Sequence, residues 1–140
     1  MTEEVVYSLP QVLKNHICTL KKASMDTTKK EPMCESLIKV VDFDKIPNEF
    51  ARGKGWNGVP KSNDALYVDI RGKWYFIEFK DATIKADNDK LKNNVIRKAY
   101  SNWYMLLDIL YSMRERGHID KDFVYQNPIT FAKQHVHYIL

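Results

Sequence analysis

The chain lacks most of the features that would fix its class at once. Its only cysteines are Cys18 and Cys34, too few for a disulfide framework and not arranged as a CxxC metal pair. Reduced thiols in a cytoplasmic protein are the expectation. No apolar run is long enough to cross a membrane and no signal-peptide pattern opens the sequence, so no membrane partner is expected. Neither sign of charge dominates. The balance of 22 basic against 18 acidic residues leaves +4, with a pI near 9.0. That mild basicity suits an anionic partner without proving one. A hydrophobic content of 44% and a charged content of 29% are ordinary for a globular protein, and 140 residues suit one domain with a real core.

What is present concentrates between residues 60 and 80. Ala65 to Ile70 and Trp74 to Phe79 are rich in Val, Ile, Tyr, Phe and Trp and read as two strands. Arg71-Gly72-Lys73 separates them, with Gly72 free to take positive φ in a tight turn. A hairpin folded about Arg71 sets Asp64 opposite or diagonal to Glu78, at about 5–8 Å between Cβ atoms. Glu78 and Lys80 leave the same face of their strand, together with Trp74 and Phe76. Tyr75, Ile77 and Phe79 leave the other face and are expected to enter the core. Two carboxylates suit a hard divalent cation, and a nearby ammonium stabilises charge or orients water. A solvated charged pair on a hairpin, with Asp64 capping a turn, is the plainer reading. Large aromatics on the charged face argue against it, because a strand apolar on both sides is central, and buried charge there demands a partner.

The pattern Asp64, a hairpin-length gap, then Glu78-Phe79-Lys80 resembles the PD-(D/E)XK nuclease superfamily. The proline of that motif is displaced here: Pro60 lies upstream and Asn63 precedes Asp64. The resemblance covers roughly residues 31–116. It implies an α/β, restriction-endonuclease-like fold with a mixed central sheet and flanking helices, and a metal-dependent nuclease acting on nucleic acid, DNA in the first place. Asp64, Glu78 and the main chain of Phe79 would hold Mg²⁺ or Mn²⁺, and Lys80 would serve the attacking water or the charged phosphate. Glu35, on a preceding helix, is the nearest match for an assisting metal ligand, and Glu31 a weaker one. Lys98, on the helix after the motif, is a candidate to complete the site. A catalytically inactive nucleic-acid-binding module and a protein-partner protein of toxin or immunity type are the alternatives. A homodimer, or a place in a larger assembly, would answer how so small a nuclease finds its target.

The remaining sequence supplies scaffolding. One domain over 1–140 is expected, with its core at roughly 31–140 and an N-terminal extension over 1–30. In that extension Val5 to Leu20 reads as a short helix begun near Ser8 and Pro10, and Lys21 to Lys30 as a basic loop. Pro32 to Asp42 reads as a helix carrying Met33, Leu37, Ile38 and Val41. Ile46 to Lys61, with Pro47, Pro60 and three glycines, reads as irregular. Its Arg52, Lys54 and Trp56 either approach a phosphate backbone and stack on a base, or belong to a connector with Trp56 plugged into the core. Asn93 to Arg116 is expected to be a long helix, with Ile96, Ala99, Tyr100, Trp103, Leu106, Leu107, Leu110 and Met113 as its core stripe and Gly117 as its stop. The tail holds Phe123 to Gln126, a turn at Asn127-Pro128, and His135 to Leu140, whose alternation reads as a late strand. The His135/His137 pair lacks an evident third ligand for a metal.

Overall fold

A computed structural model describes residues 1–80, 89–115 and 127–140, with side chains described up to Ser112 in the second segment. The architecture is α/β. Helices α1 (Glu3–Ser8) and α2 (Gln11–Lys14) lead into strand β1 (Ile17–Thr19), helix α3 (Leu20–Ala23) and a small two-stranded hairpin, β2 (Met25–Asp26) with β3 (Glu31–Pro32). Strand β4 (Lys39–Asp42), a 3₁₀ turn at Phe43–Lys45 and helix α4 (Ile46–Lys54) follow. Strands β5 (Ala65–Val68) and β6 (Trp74–Ile77) form a hairpin. The long helix α5 (Asp89–Glu115), helix α6 (Pro128–His135) and strand β7 (Val136–Ile139) complete the described chain.

The main sheet runs β1-β4-β5-β6-β7. Its first four strands pair antiparallel, and β7 joins β6 in parallel. A parallel neighbour cannot be reached by a tight turn, and α5 lies in the connection, as such a crossover requires. The register of the hairpin pairs Ala65 with Ile77 and Val68 with Trp74. This pivots on Arg71, and Asp64 and Glu78 are the next residues beyond the Ala65–Ile77 pair. Gly72 takes φ +76°, and Asp69 accepts hydrogen bonds from the Arg71 and Lys73 amides to close the turn.

The sheet buries both faces unequally, as period-two alternation requires. Val41, Leu66, Val68, Trp74 and Phe76 face the main core, where Met105, Leu106, Ile109 and Leu110 of α5 cover them. Val40 and Ala65 face a smaller cluster beneath α3, with Cys18, Cys34, Ile77 and Phe79 at its margin. The face expected to enter the core through Tyr75, Ile77 and Phe79 is therefore the minor one. The aromatic face that carries Glu78 is the major one.

Several expectations give way. Residues 32–42 are not a helix. Pro32 ends β3, Met33, Leu37 and Ile38 are exposed, and Lys39–Asp42 is a strand paired on both sides. The β-branched pair Val40-Val41 lies in a strand with partners on both sides, and long-range pairing overrode the local helical spacing. The stretch from Ile46 is not irregular but begins with α4. Pro47 sits in its first turn and Gly55, at φ +68°, in the left-handed stop position. The first thirty residues are no extension. Val5, Leu9 and Leu13 lie in the main core, Leu20 in the smaller cluster, and β1 is a strand of the sheet. The single helix expected over 5–20 is broken at Leu9-Pro10 into α1 and α2, then gives way to β1. In α5, Ile96 and Tyr100 are exposed, while Asn102, Met105 and Ile109 are buried. Pro128 opens α6 rather than ending a turn, so His135 closes a helix and only His137 lies in β7. His135 stacks on Phe131 and His137 on Tyr75. The expectations for Gly117 and for Phe123–Gln126 fall outside the described residues. Among the described residues, no helix is long and apolar enough to cross a membrane.

Candidate active site

Asp64 occupies the entrance to β5, where the backbone holds it from three sides. Its amide donates to the Ile77 carbonyl (3.0 Å), and its own carbonyl accepts from the Phe43 and Asp44 amides (3.0 and 3.3 Å). Its side-chain Oδ2 accepts from the Phe79 amide at 2.7 Å. Burial pushes the Asp64 carboxyl above its ordinary value. The Phe79 amide opposes this, and the neighbouring Glu78 and Asp44 charges add to it.

Glu78 continues β6 by one residue. Its amide donates to the Ile139 carbonyl of β7 (2.9 Å), and it is only 5% exposed. A buried carboxylate needs charge compensation, and two lysines supply it. Lys98 of α5 donates to both Glu78 oxygens at 2.7 Å, and Lys80 reaches Oε1 at 2.6 Å. The three residues of the sequence motif thus lie at the open end of the β5–β6 hairpin, away from its turn, and Lys98 is gathered with them.

A second pair fixes the hairpin to α5. Asn102 is fully buried. Its Nδ2 donates to the Asn63 side-chain oxygen at 2.6 Å, and its Oδ1 accepts from the Asn63 amide at 3.2 Å. The residue before Asp64 is therefore clamped to the helix that carries Lys98. Sequence reasoning passed over Asn102. Its signal is a polar residue among the apolar positions of a long helix. Asp44 also went unremarked, although it flanks Asp64 and lines the adjoining cavity.

That cavity, of about 360 Å³, opens between the start of α4, the 59–62 segment and the first half of α5. Asp44, Asn48, Lys61, Ser62, Asn94 and Lys98 line it. A smaller one of about 100 Å³ touches Asn63, Glu78, Lys98 and Tyr138. Lys98 therefore lines both cavities while gripping Glu78.

The other sequence candidates scatter. Glu35, exposed and not on a helix, pairs with Lys21 at 2.6 Å and is not gathered with Asp64 and Glu78. Arg52 is exposed on α4, and Lys54 is bound to Asp108 at 2.8 Å. Trp56 is not plugged into the core. It lies at the surface against Tyr104.

Among the described residues, no group of three or more His, Cys, Asp or Glu side chains is placed to hold a metal ion. The donor set still fits a hydrated Mg²⁺ or Mn²⁺, since Mg²⁺ sites commonly use one or two carboxylates and keep several waters. Asp64 and Glu78 are the two carboxylates of that set, near enough for the Glu78 charge to add to the burial that raises the Asp64 value. Such an ion would have to share Glu78 with Lys98 and Lys80. The chain matches no family model, no curated protein and no solved structure.

Proposed function

We propose that this chain is a metal-dependent nuclease that hydrolyses phosphodiester bonds, in DNA in the first place, on a restriction-endonuclease-like α/β core. The observation that carries the reading is the meeting of Asp64, Glu78 and Lys80 at the open end of one hairpin, beside a cavity walled by Lys61 and Lys98. A mixed sheet with α5 across its larger face supports it.

Asp64 and Glu78 would hold Mg²⁺ or Mn²⁺, with the Phe79 main chain beside them. When bound, the ion lowers the pKa of a coordinated water and stabilises charge on the scissile phosphate. Lys80, more exposed than Lys98, orients the attacking water or meets the developing negative charge. Lys98 neutralises Glu78 and positions its carboxylate. Asn102 holds Asn63, and through it Asp64, in register. Lys61 and Arg52 offer positive charge to the phosphate backbone.

A second reading is a nuclease-like module that binds DNA without cutting it. The two-point grip of Lys98 on Glu78 favours it, because the carboxylate is already neutralised. The deciding experiment is cleavage of supercoiled plasmid and of single-stranded DNA in Mg²⁺, Mn²⁺ or EDTA, comparing wild type with Glu78→Ala and Lys80→Ala. The nuclease reading expects metal-dependent cutting that both substitutions abolish. No cutting in either metal, with salt-dependent DNA binding that both variants retain, would establish the second reading instead.

A further inference from the structure

The chain has three tryptophans, and they are placed differently. Trp74 is buried in the main core and Trp103 packs against it. Trp56 is 46% exposed. Its ring lies nearly parallel to that of Tyr104, at 6.4 Å between centroids and 18° between planes, and Tyr104 is itself 53% exposed. Phe50 braces both rings edge-on, at 5.6 Å from Trp56 and 6.0 Å from Tyr104. The backbone beneath is fixed. The Trp56 amide donates to the Ala51 carbonyl at 2.9 Å, the Gly55 amide donates to Arg52 at 3.1 Å, and Gly55 holds its left-handed stop. A large ring braced on one side and exposed on the other presents its face to a flat ligand.

The surroundings select the ligand. Arg52 is exposed and makes no ion pair among the described residues. Lys54 lies over the Phe50 ring at 5.5 Å while bound to Asp108. The chain from Trp56 runs through Val59, Pro60 and Lys61, which wall the 360 Å³ cavity, and then reaches Asp64. Five residues, from Trp56 to Lys61, span at most about 17 Å. A polyanion whose phosphates meet Lys61 and Arg52 therefore comes within reach of the rings. In a duplex the base faces are already stacked on one another. Only an unpaired base offers its face to an aromatic side chain.

We propose that Trp56 and Tyr104 form a base-stacking platform that takes an unpaired nucleotide, so that the strand entering the cavity is single-stranded DNA or the frayed end of a duplex. The proposal deepens the nuclease reading by naming its substrate class and rests on that reading for the direction of the strand. The stacking itself does not depend on turnover.

The test is binding in EDTA, followed by the fluorescence anisotropy of a dye-labelled oligonucleotide, with tryptophan emission as a second readout in the proteins that keep Trp56. The ligands are a mixed-sequence single-stranded oligonucleotide and a blunt duplex of the same sequence. The single strand is expected to quench emission and to bind more tightly than the duplex. Trp56→Ala and Tyr104→Ala should each weaken single-strand binding by about 5- to 150-fold, the range for losing one base stack. Tyr104→Phe should keep it. Trp56→Leu keeps an apolar side chain at this exposed position without a flat face, and it should fail like the alanine variant while melting closer to the wild type. Unchanged single-strand affinity in Trp56→Leu overturns the platform, as does an equal loss for duplex and single strand. A platform that serves a protein partner would give that first result. Plasmid cleavage in Mn²⁺ is scored separately. Platform-dependent binding without any cleavage would remove the nuclease reading and leave the platform. Cleavage with platform-independent binding would do the reverse.

Discussion

Lys98→Met removes one ammonium from the Glu78 site while keeping a long, unbranched side chain in its place. In the folded chain Lys98 is 15% exposed and its Nζ touches both oxygens of a nearly buried carboxylate. Stripping one partner from a buried pair costs about 3–5 kcal/mol, because the remaining charge is left uncompensated. Here Lys80 stays on Oε1, so the expected cost is lower, about 2–3 kcal/mol. For a chain of this size that lowers the melting temperature by roughly 6–12 °C. Urea denaturation should show the same loss in midpoint with an unchanged slope. The double variant Glu78→Gln, Lys98→Met removes the stranded charge as well. It should be more stable than the sum of the singles allows, by about 1–3 kcal/mol. A cost under about 0.5 kcal/mol for Lys98→Met would refute the buried-pair account, since only screened surface pairs are worth so little. The same variant probes the metal. A divalent cation and Lys98 compete for one carboxylate, so saturating Mn²⁺ should raise the melting temperature of Lys98→Met more than that of wild type. Equal shifts in the two proteins would mean that the ion does not reach Glu78.

Asp64→Asn should raise the melting temperature at neutral pH while abolishing metal-dependent cleavage. Burial holds the Asp64 carboxyl above its ordinary 3.8, so the folded state binds this proton more tightly than the unfolded chain does. The stability tied to that proton is fully present below pH 3.8 and is lost as pH rises through the raised value. The advantage of the asparagine should therefore shrink as pH falls, and an advantage that persists unchanged below pH 3.8 would contradict the assignment. Leu13→Ala should cost about 2–5 kcal/mol in chemical denaturation, because Leu13 is fully buried in the main core. A cost below about 1 kcal/mol would return the first thirty residues to the status of an extension.

The legible parts of the sequence were those in which local signals had no competitor. The β5–β6 hairpin has period-two strands and a glycine at its one left-handed position, and its register followed from counting about Arg71. The long helix was visible from its three- and four-residue steps, but those steps did not say which side faces the sheet. Ile96 and Tyr100 match the stripe as well as Leu106 does, yet both are exposed. Around 33–41 the spacing of Met33, Leu37 and Val41 suits a helix, and the outcome depended on two strands elsewhere in the chain that needed a partner between them. Near 46–58 the glycines suggested loop throughout. Gly53 nevertheless sits within α4, and only Gly55 stops it.

The site follows the same division. Asp64, Glu78 and Lys80 are a local pattern, so their convergence could be read from strand geometry alone. Lys98 and Asn102 meet the hairpin only because α5 crosses the aromatic face of β6. The core was expected on the opposite face, through Tyr75, Ile77 and Phe79. Once Trp74 and Phe76 are placed against α5, Glu78 must emerge beneath the first half of that helix, at the edge of the main core. A carboxylate there is tolerable only with a cation overhead, and a lysine four residues before the buried Asn102 stands one helical turn away, where it can supply it. The long-range grip of Lys98 is thus a consequence of how the hairpin buries its aromatics. Any substitution that turned α5 about its axis should therefore release Glu78 and Asn63 together.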